Sequence, residues 1–185
     1  TKTAARVSGT AAANYSGPTV VDQGTLAITT TSPVLTGGLT FGATANAATN
    51  ASIDLSAASP TFSGALLVQT NSPTANTITV GPSSTLTVNN TLTIGANPTV
   101  ANSVALLTVG GGGRFNVTTA AGATVQIGGA TGGVSEAATL DLTGLTATTI
   151  NASVTGTIRV NNNTTTNVTG NTATLLMPTP TTGIT

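Results

Sequence analysis

Four carboxylates, Asp22, Asp54, Glu136 and Asp141, have the plainest chemical potential in this 185-residue chain. A pair of carboxylates about 5–10 Å apart across a groove can cleave a glycosidic bond, one as the acid and the other as base or nucleophile. The spacing argues against such a pair here. Asp54 lies between Ile53 and Leu55, and Asp141 between Leu140 and Leu142, so both should point away from an apolar core, several repeats apart. Glu136 and Asp141 are close in sequence, but a turn is expected between them. His is absent and no Tyr lies nearby to serve as a base. The acids read as solvated charges. The chain is expected not to be an enzyme, and no catalytic residue, cofactor or metal ligand is assigned.

Three other patterns invite chemistry. Gly110 to Gly113 followed by Arg114 has the look of a phosphate cradle, but a P-loop needs Lys-Ser/Thr after its last Gly and then a helix. A calcium-binding nonapeptide repeat needs Asp after its glycine pairs. With neither present, the run reads as a turn. Asn-Xaa-Ser/Thr sequons stand at Asn14, Asn50, Asn89, Asn116, Asn151, Asn162, Asn163 and Asn167, each an acceptor for N-glycosylation in a host that performs it. Thr77-Ile-Thr79, Thr85-Leu-Thr87 and Thr91-Leu-Thr93 place two Thr around an inward apolar residue, as in the flat Thr arrays of ice-binding solenoids. The pairs drift in position, and ASIDL, GRFNV and GTIRV break the set, so ice binding stands as an alternative function only.

Composition narrows the field. Charged residues are 4% of the chain, against about a quarter in ordinary domains. Nucleic-acid binding needs a cationic field to release counterions, and only Lys2, Arg6, Arg114 and Arg159 are available, with almost no aromatic platforms. No apolar run approaches the roughly 20 residues of a membrane span. The absence of Cys removes disulfides and thiolate metal sites. No signal peptide or initiating Met is visible, so the chain is expected to be a mature or trimmed product.

The elements are short and repetitive. TLAI (25 to 28), GLTFG (38 to 42), ASIDL (51 to 55), NTITV (76 to 80), STLTV (84 to 88) and NTLTI (90 to 94) alternate a large apolar residue with a small or polar one. ALLTV (105 to 109), GRFNV (113 to 117), ATVQI (123 to 127), ATLDL (138 to 142) and GTIRV (156 to 160) do the same. A period of two is the strand period, and β-branched Thr, Val and Ile favour the pleated state. Ile28, Ile53 and Ile78 lie 25 apart, with Val104 26 later; Phe41, Leu66, Leu92, Val117 and Leu142 step by 25 or 26. A period of that length predicts an all-β solenoid, a right-handed parallel β-helix of about six coils with roughly 25 residues each. At about 4.8 Å per coil the rod is on the order of 30 Å long. A β-sandwich is the alternative, but has no reason to keep a fixed ladder. The solenoid is expected over 1–163, followed by an Asn/Thr-rich extended tail over 164–185.

Residues 7 to 28, VSGTAAANYSGPTVVDQGTLAI, resemble the autotransporter-associated β-strand repeat, also called the passenger-associated transport repeat. The matching residues are Ser8-Gly9-Thr10, Tyr15 to Thr19, Val21 and Gly24-Thr25-Leu26; later repeats keep only the TLxV element, to about residue 160. The resemblance implies a secreted or cell-surface bacterial protein with a structural or adhesive role, and supplies no catalytic residue. No membrane β-barrel follows residue 160, which points to a passenger fragment or a subunit exported another way.

A solenoid also ends in unpaired strand edges that can recruit a neighbour. No capping helix is legible at either end. Val7 near the start and Leu175-Leu176-Met177, an apolar island before Pro178, are therefore expected to form the assembly interface by strand addition. The expected function is that of an extracellular subunit of a fibre, surface filament or adhesin stalk, built by head-to-tail edge pairing. A polysaccharide-binding or -cleaving β-helix is a second alternative. The expected partners are further copies of the chain and, as a further class, cell-surface glycans, with no nucleic acid and no membrane span.

Overall fold

The structure, a computed structural model, describes residues 4–7, 16–29, 33–45, 47–95, 100–119, 123–128, 135–151, 157–160 and 170–179. Within them the chain is all β. Strands β1 (Ala4–Val7) and β2 (Thr19–Val21) precede a regular series. The first coil is β3 (Gly24–Ile28), β4 (Val34–Leu35) and β5 (Leu39–Phe41); the second is β6 (Ala51–Leu55), β7 (Thr61–Phe62) and β8 (Leu66–Val68). The third is β9 (Asn76–Val80), β10 (Thr85–Val88) and β11 (Leu92–Ile94), and the fourth is β12 (Ser103–Gly110), β13 (Arg114–Thr118) and β14 (Thr124–Ile127). The fifth is β15 (Glu136–Gly144), β16 (Ala147–Asn151) and β17 (Thr157–Val160), and β18 (Thr172–Leu176) begins another.

β1 pairs in parallel with β3, and from β2 onward each strand pairs in parallel with the one three places later, which builds three sheets along the rod. Sheet A runs β1-β3-β6-β9-β12-β15-β18, sheet B β4-β7-β10-β13-β16, and sheet C β2-β5-β8-β11-β14-β17. The fold is the expected β-solenoid; the described residues form five complete three-strand coils with partial coils beyond them, slightly different from the expected count of about six. The segment expected as a tail supplies β18, the seventh strand of sheet A.

The alternation of residue types becomes an alternation of faces. Ala51, Ile53 and Leu55 of β6 are buried while Ser52 and Asp54 between them are only partly so. In sheet B, Phe62, Val88 and Val117 stack with no exposure at all, Phe62 opposite Val88 and Val88 opposite Val117. Sheet C carries two such columns, Leu39–Leu66–Leu92–Val125 and Phe41–Val68–Ile94–Ile127.

The register corrects the expected ladder. Leu26, not Ile28, stands opposite Ile53, and Phe41 stands opposite Val68 rather than Leu66. Val117 belongs to sheet B and Leu142 to sheet A. Val104 lies on the outer face of β12, half-exposed. A slip of two residues keeps a side chain on the same face of a strand, so apolar spacing alone cannot detect it. The coil is not constant either. From Leu26 to Ile53 and on to Ile78 the steps are 27 and 25 residues. From Ile78 to Val109 the step is 31, from Leu107 to Leu140 it is 33, and from Leu140 to Leu175 it is 35. Sheet A widens to match, from five residues in β9 to eight in β12 and nine in β15.

The Gly110–Gly113 run is the corner between β12 and β13, as expected. Gly111 has φ +102°, a conformation that L side chains rarely adopt. A side chain on Gly113 would strike the carbonyl of Gly81 one coil away. The N–H of Gly113 donates to the Val80 carbonyl at 3.0 Å and that of Gly112 to the Gly144 carbonyl at 2.9 Å. These donors run along the rod and hold adjacent coils, so they do not form an anion cradle.

Burial of this kind sets a direct test. Phe62→Ala leaves a cavity in a thin core and is expected to cost about 3–5 kcal/mol, read as a lower urea midpoint. Val34→Ala, on the outer face of the same sheet, should change stability by less than about 0.5 kcal/mol. Equal effects from the two variants would contradict this assignment of faces.

Candidate functional site: the β16–β18 end of the rod

The carboxylates do not converge. Asp54 and Asp141 both lie on the outer face of sheet A, on β6 and β15, with two rungs between them. Their backbones are therefore on the order of 14 Å apart, beyond the separation of a glycosidase pair. Each is occupied locally. Asp54 Oδ1 accepts from the Ser56 N–H at 2.9 Å, and Asp141 Oδ1 accepts from Thr143 N–H at 2.9 Å and Oγ1 at 2.7 Å. The Ser56 hydroxyl first, and its N–H second, hold the Asp54 carboxyl below its ordinary range. Asp22 Oδ1 ties a corner together, accepting from the Ala43 N–H at 2.9 Å and the Thr49 hydroxyl at 3.1 Å.

Glu136 departs from the expectation of a solvated charge. β15 runs unbroken from Glu136 to Gly144, with no turn between Glu136 and Asp141. An odd spacing of five puts the two on opposite faces. Glu136 faces inward at 3% exposure, and its N–H donates to Asn171 Oδ1 at 2.7 Å. Its carboxylate occupies the space that a Cβ on Gly95 would need, and Gly95 has φ +79°. Among the described residues no group of three His, Cys, Asp or Glu could hold a metal ion. No helix of the described residues is long and apolar enough to cross a membrane.

The three Thr pairs fall on three different sheets, Thr77 and Thr79 on β9, Thr85 and Thr87 on β10, and Thr91 and Thr93 at β11. They do not share a plane. Of the sequons, Asn50 and Asn89 are exposed beside β6 and β10, Asn116 is half-buried in β13, and Asn151 closes β16. Asn14, Asn162, Asn163 and Asn167 lie outside the described residues.

The ends of the rod are more distinctive. Val7 closes β1, the first strand of sheet A, and Leu175 and Leu176 belong to β18, the last strand of the same sheet. Leu175 packs against the core, while Leu176 and Met177 are 41% and 45% exposed. Beside them are two residues that sequence reasoning missed. Ile158 continues the column Leu39–Leu66–Leu92–Val125, and Val160 continues Phe41–Val68–Ile94–Ile127. The eight earlier members are at most 1% exposed, whereas Ile158 and Val160 are 47% and 46% exposed. Both point along an inward column that has no further described strand above it. GTIRV was legible as a strand, but nothing in its residues marks it as the last described strand of sheet C.

Two measurements check this geometry. Ser56→Ala should raise the Asp54 pKa toward its ordinary value, followed by NMR titration. Because the folded-state pKa is lowered, the stability linked to Asp54 is present above the ordinary carboxylate range and fades as pH falls through the lowered value. Gly95→Ala should cost about 1–3 kcal/mol from its positive φ, plus the overlap with Glu136. Adding Glu136→Ala should remove only the overlap part, and full recovery would contradict the strained backbone. A scan against protein-family models and searches of curated proteins and of solved structures returned no match to this chain.

Proposed function

We propose that this chain is an extracellular structural subunit, part of a fibre, surface filament or adhesin stalk, that lengthens by head-to-tail stacking of its solenoid. The observation that carries this reading is the abrupt exposure of Ile158 and Val160 at the end of two fully buried columns. Three strand edges lie at that same end, those of β16, β17 and β18, each hydrogen-bonded to a described strand on one side only. Such edges add a further strand through main-chain hydrogen bonds.

Magnitudes set the character of the contact. Covering two half-exposed aliphatic side chains is worth on the order of 2 kcal/mol, far short of the roughly 8 kcal/mol of micromolar binding. Strand-edge pairing must supply the rest, so assembly should depend steeply on concentration. A chain with 4% charged residues adds little repulsion to such a stack. An extracellular setting agrees with this low charge and with the local repeat resemblance.

Negative-stain electron microscopy over a concentration series is the direct test, with filaments expected at high concentration. Monodisperse short rods at every concentration would sink the reading. Ile158→Asp with Val160→Asp should abolish filaments and leave the circular dichroism spectrum unchanged, because both side chains are already half in water. Filaments that persist in this variant would contradict the assigned surface.

A further inference from the structure

The two ends of the rod are stepped, and the steps dictate how a second copy fits. In chain order the described strands run A, C, then A-B-C five times, then A. At the β16–β18 end, sheet A therefore projects one rung, β18, beyond sheets B and C. At the opposite end, β1 and β2 project beyond β4. Seating the β2 of a second copy directly on β17 covers Ile158 and Val160. The rung of sheet A between β15 and the second copy's β3 is then one strand wide, and two strands compete for it: β18 of the first copy and β1 of the second.

Resting on the stacking just proposed, we infer that β18 takes this rung and displaces the second copy's β1, so that assembly proceeds by strand exchange. β18 is already paired with β15 over five residues, from Ala137–Thr172 to Asp141–Leu176. The strand it displaces pairs with β3 over four residues, Ala4 to Val7. Exchange replaces the sequence AARV on the β3 edge with TATLL, a longer and more apolar strand. The competing arrangement adds the second copy's β1 on top of β18. It leaves an empty rung in sheet C, separating β17 from the incoming β2 by about 10 Å. Ile158 and Val160 then gain no strand to cover them. In the exchanged arrangement sheet B is one rung short at the junction, between β16 and the second copy's β4.

The columns give a covalent readout in a chain with no native Cys. Val20 heads the outer column of sheet C, Val20–Thr40–Leu67–Thr93–Gln126, that ends at Arg159. Thr25 and Leu176 share the sheet A column Thr25–Ser52–Thr77–Thr108–Asp141–Leu176. All four residues are exposed. Each pair is separated by five rungs, on the order of 24 Å within one chain, far beyond disulfide reach.

Exchange predicts that the full chain carrying Val20→Cys with Arg159→Cys, assembled reduced and then oxidised, gives a ladder of covalent multimers on a non-reducing gel. Thr25→Cys with Leu176→Cys should do the same. Deleting residues 1–7 removes the competing strand and should leave assembly as fast as in the full chain, or faster. Filaments that yield neither ladder, or a deletion that abolishes assembly, overturn the exchange but leave head-to-tail stacking standing. An absence of filaments in the reduced, unsubstituted protein overturns both.

Discussion

A three-sided coil of this size has no inside of its own. Its inward residues lie in one plane, and their only cover is the coil above and the coil below. Parallel pairing at a separation of one coil is therefore the interaction on which everything else rests. It satisfies the backbone and also brings each apolar side chain onto its counterpart in the next rung. Phe62 over Leu35 and under Val88 is buried completely, although β4, β7 and β10 contribute only two to four residues each to that sheet. The same rule explains why so few charges suffice. Stability comes from repeated backbone bonds and a thin aliphatic core, and outward positions need only tolerate water, which Thr does while keeping the branched carbon that suits a strand.

Where the regular stacking meets a corner, particular residues take over. Asn76 interrupts the inward column between Ala51 and Leu107, and it is fully buried. Its Oδ1 accepts from the Ala51 N–H at 3.0 Å, and its Nδ2 donates to Thr70 Oγ1 at 2.8 Å and to the Leu106 carbonyl at 3.1 Å. One amide thereby joins three successive coils, the condition under which a buried polar group is tolerable. Asn171 and Glu136 form a related joint further along, with the Asn accepting the N–H at the start of a sheet A strand. Asn76 and Glu136 each open a sheet A strand, β9 and β15, where a corner ends.

Much of this was legible. Each of the eleven alternating stretches singled out in the sequence contains strand residues, because alternation over four or five residues has one structural meaning. Some strands escaped because they are too short to show a period, such as Val34–Leu35 and Thr61–Phe62, and β16 escaped because ATTIN has a single large apolar residue. Register escaped for a different reason. Ile28 and Leu26 are equally good inward residues, and only the length of the corner chooses which one meets Ile53. The buried Glu136 was in principle readable, since five residues of unbroken strand reverse the face, but the reading placed a turn there. The apolar island at Leu175 to Met177 announced itself as an end. Ile158 and Val160 did not, because their exposure comes from being last in a column and not from any feature of their own.

The lengthening of the coils gives the rod a direction that can be seen from outside. Sheet A is five residues wide at β3 and nine at β15, while the strands of sheet C stay at three or four until the end. Along sheet A the described strands broaden from β9 to β15 and return to five residues at β18. A head-to-tail polymer would repeat this broadening of sheet A once per subunit. Its repeat would be set by the number of rungs in one chain, and the order of narrow and broad sheet A strands would mark the polarity of such a material.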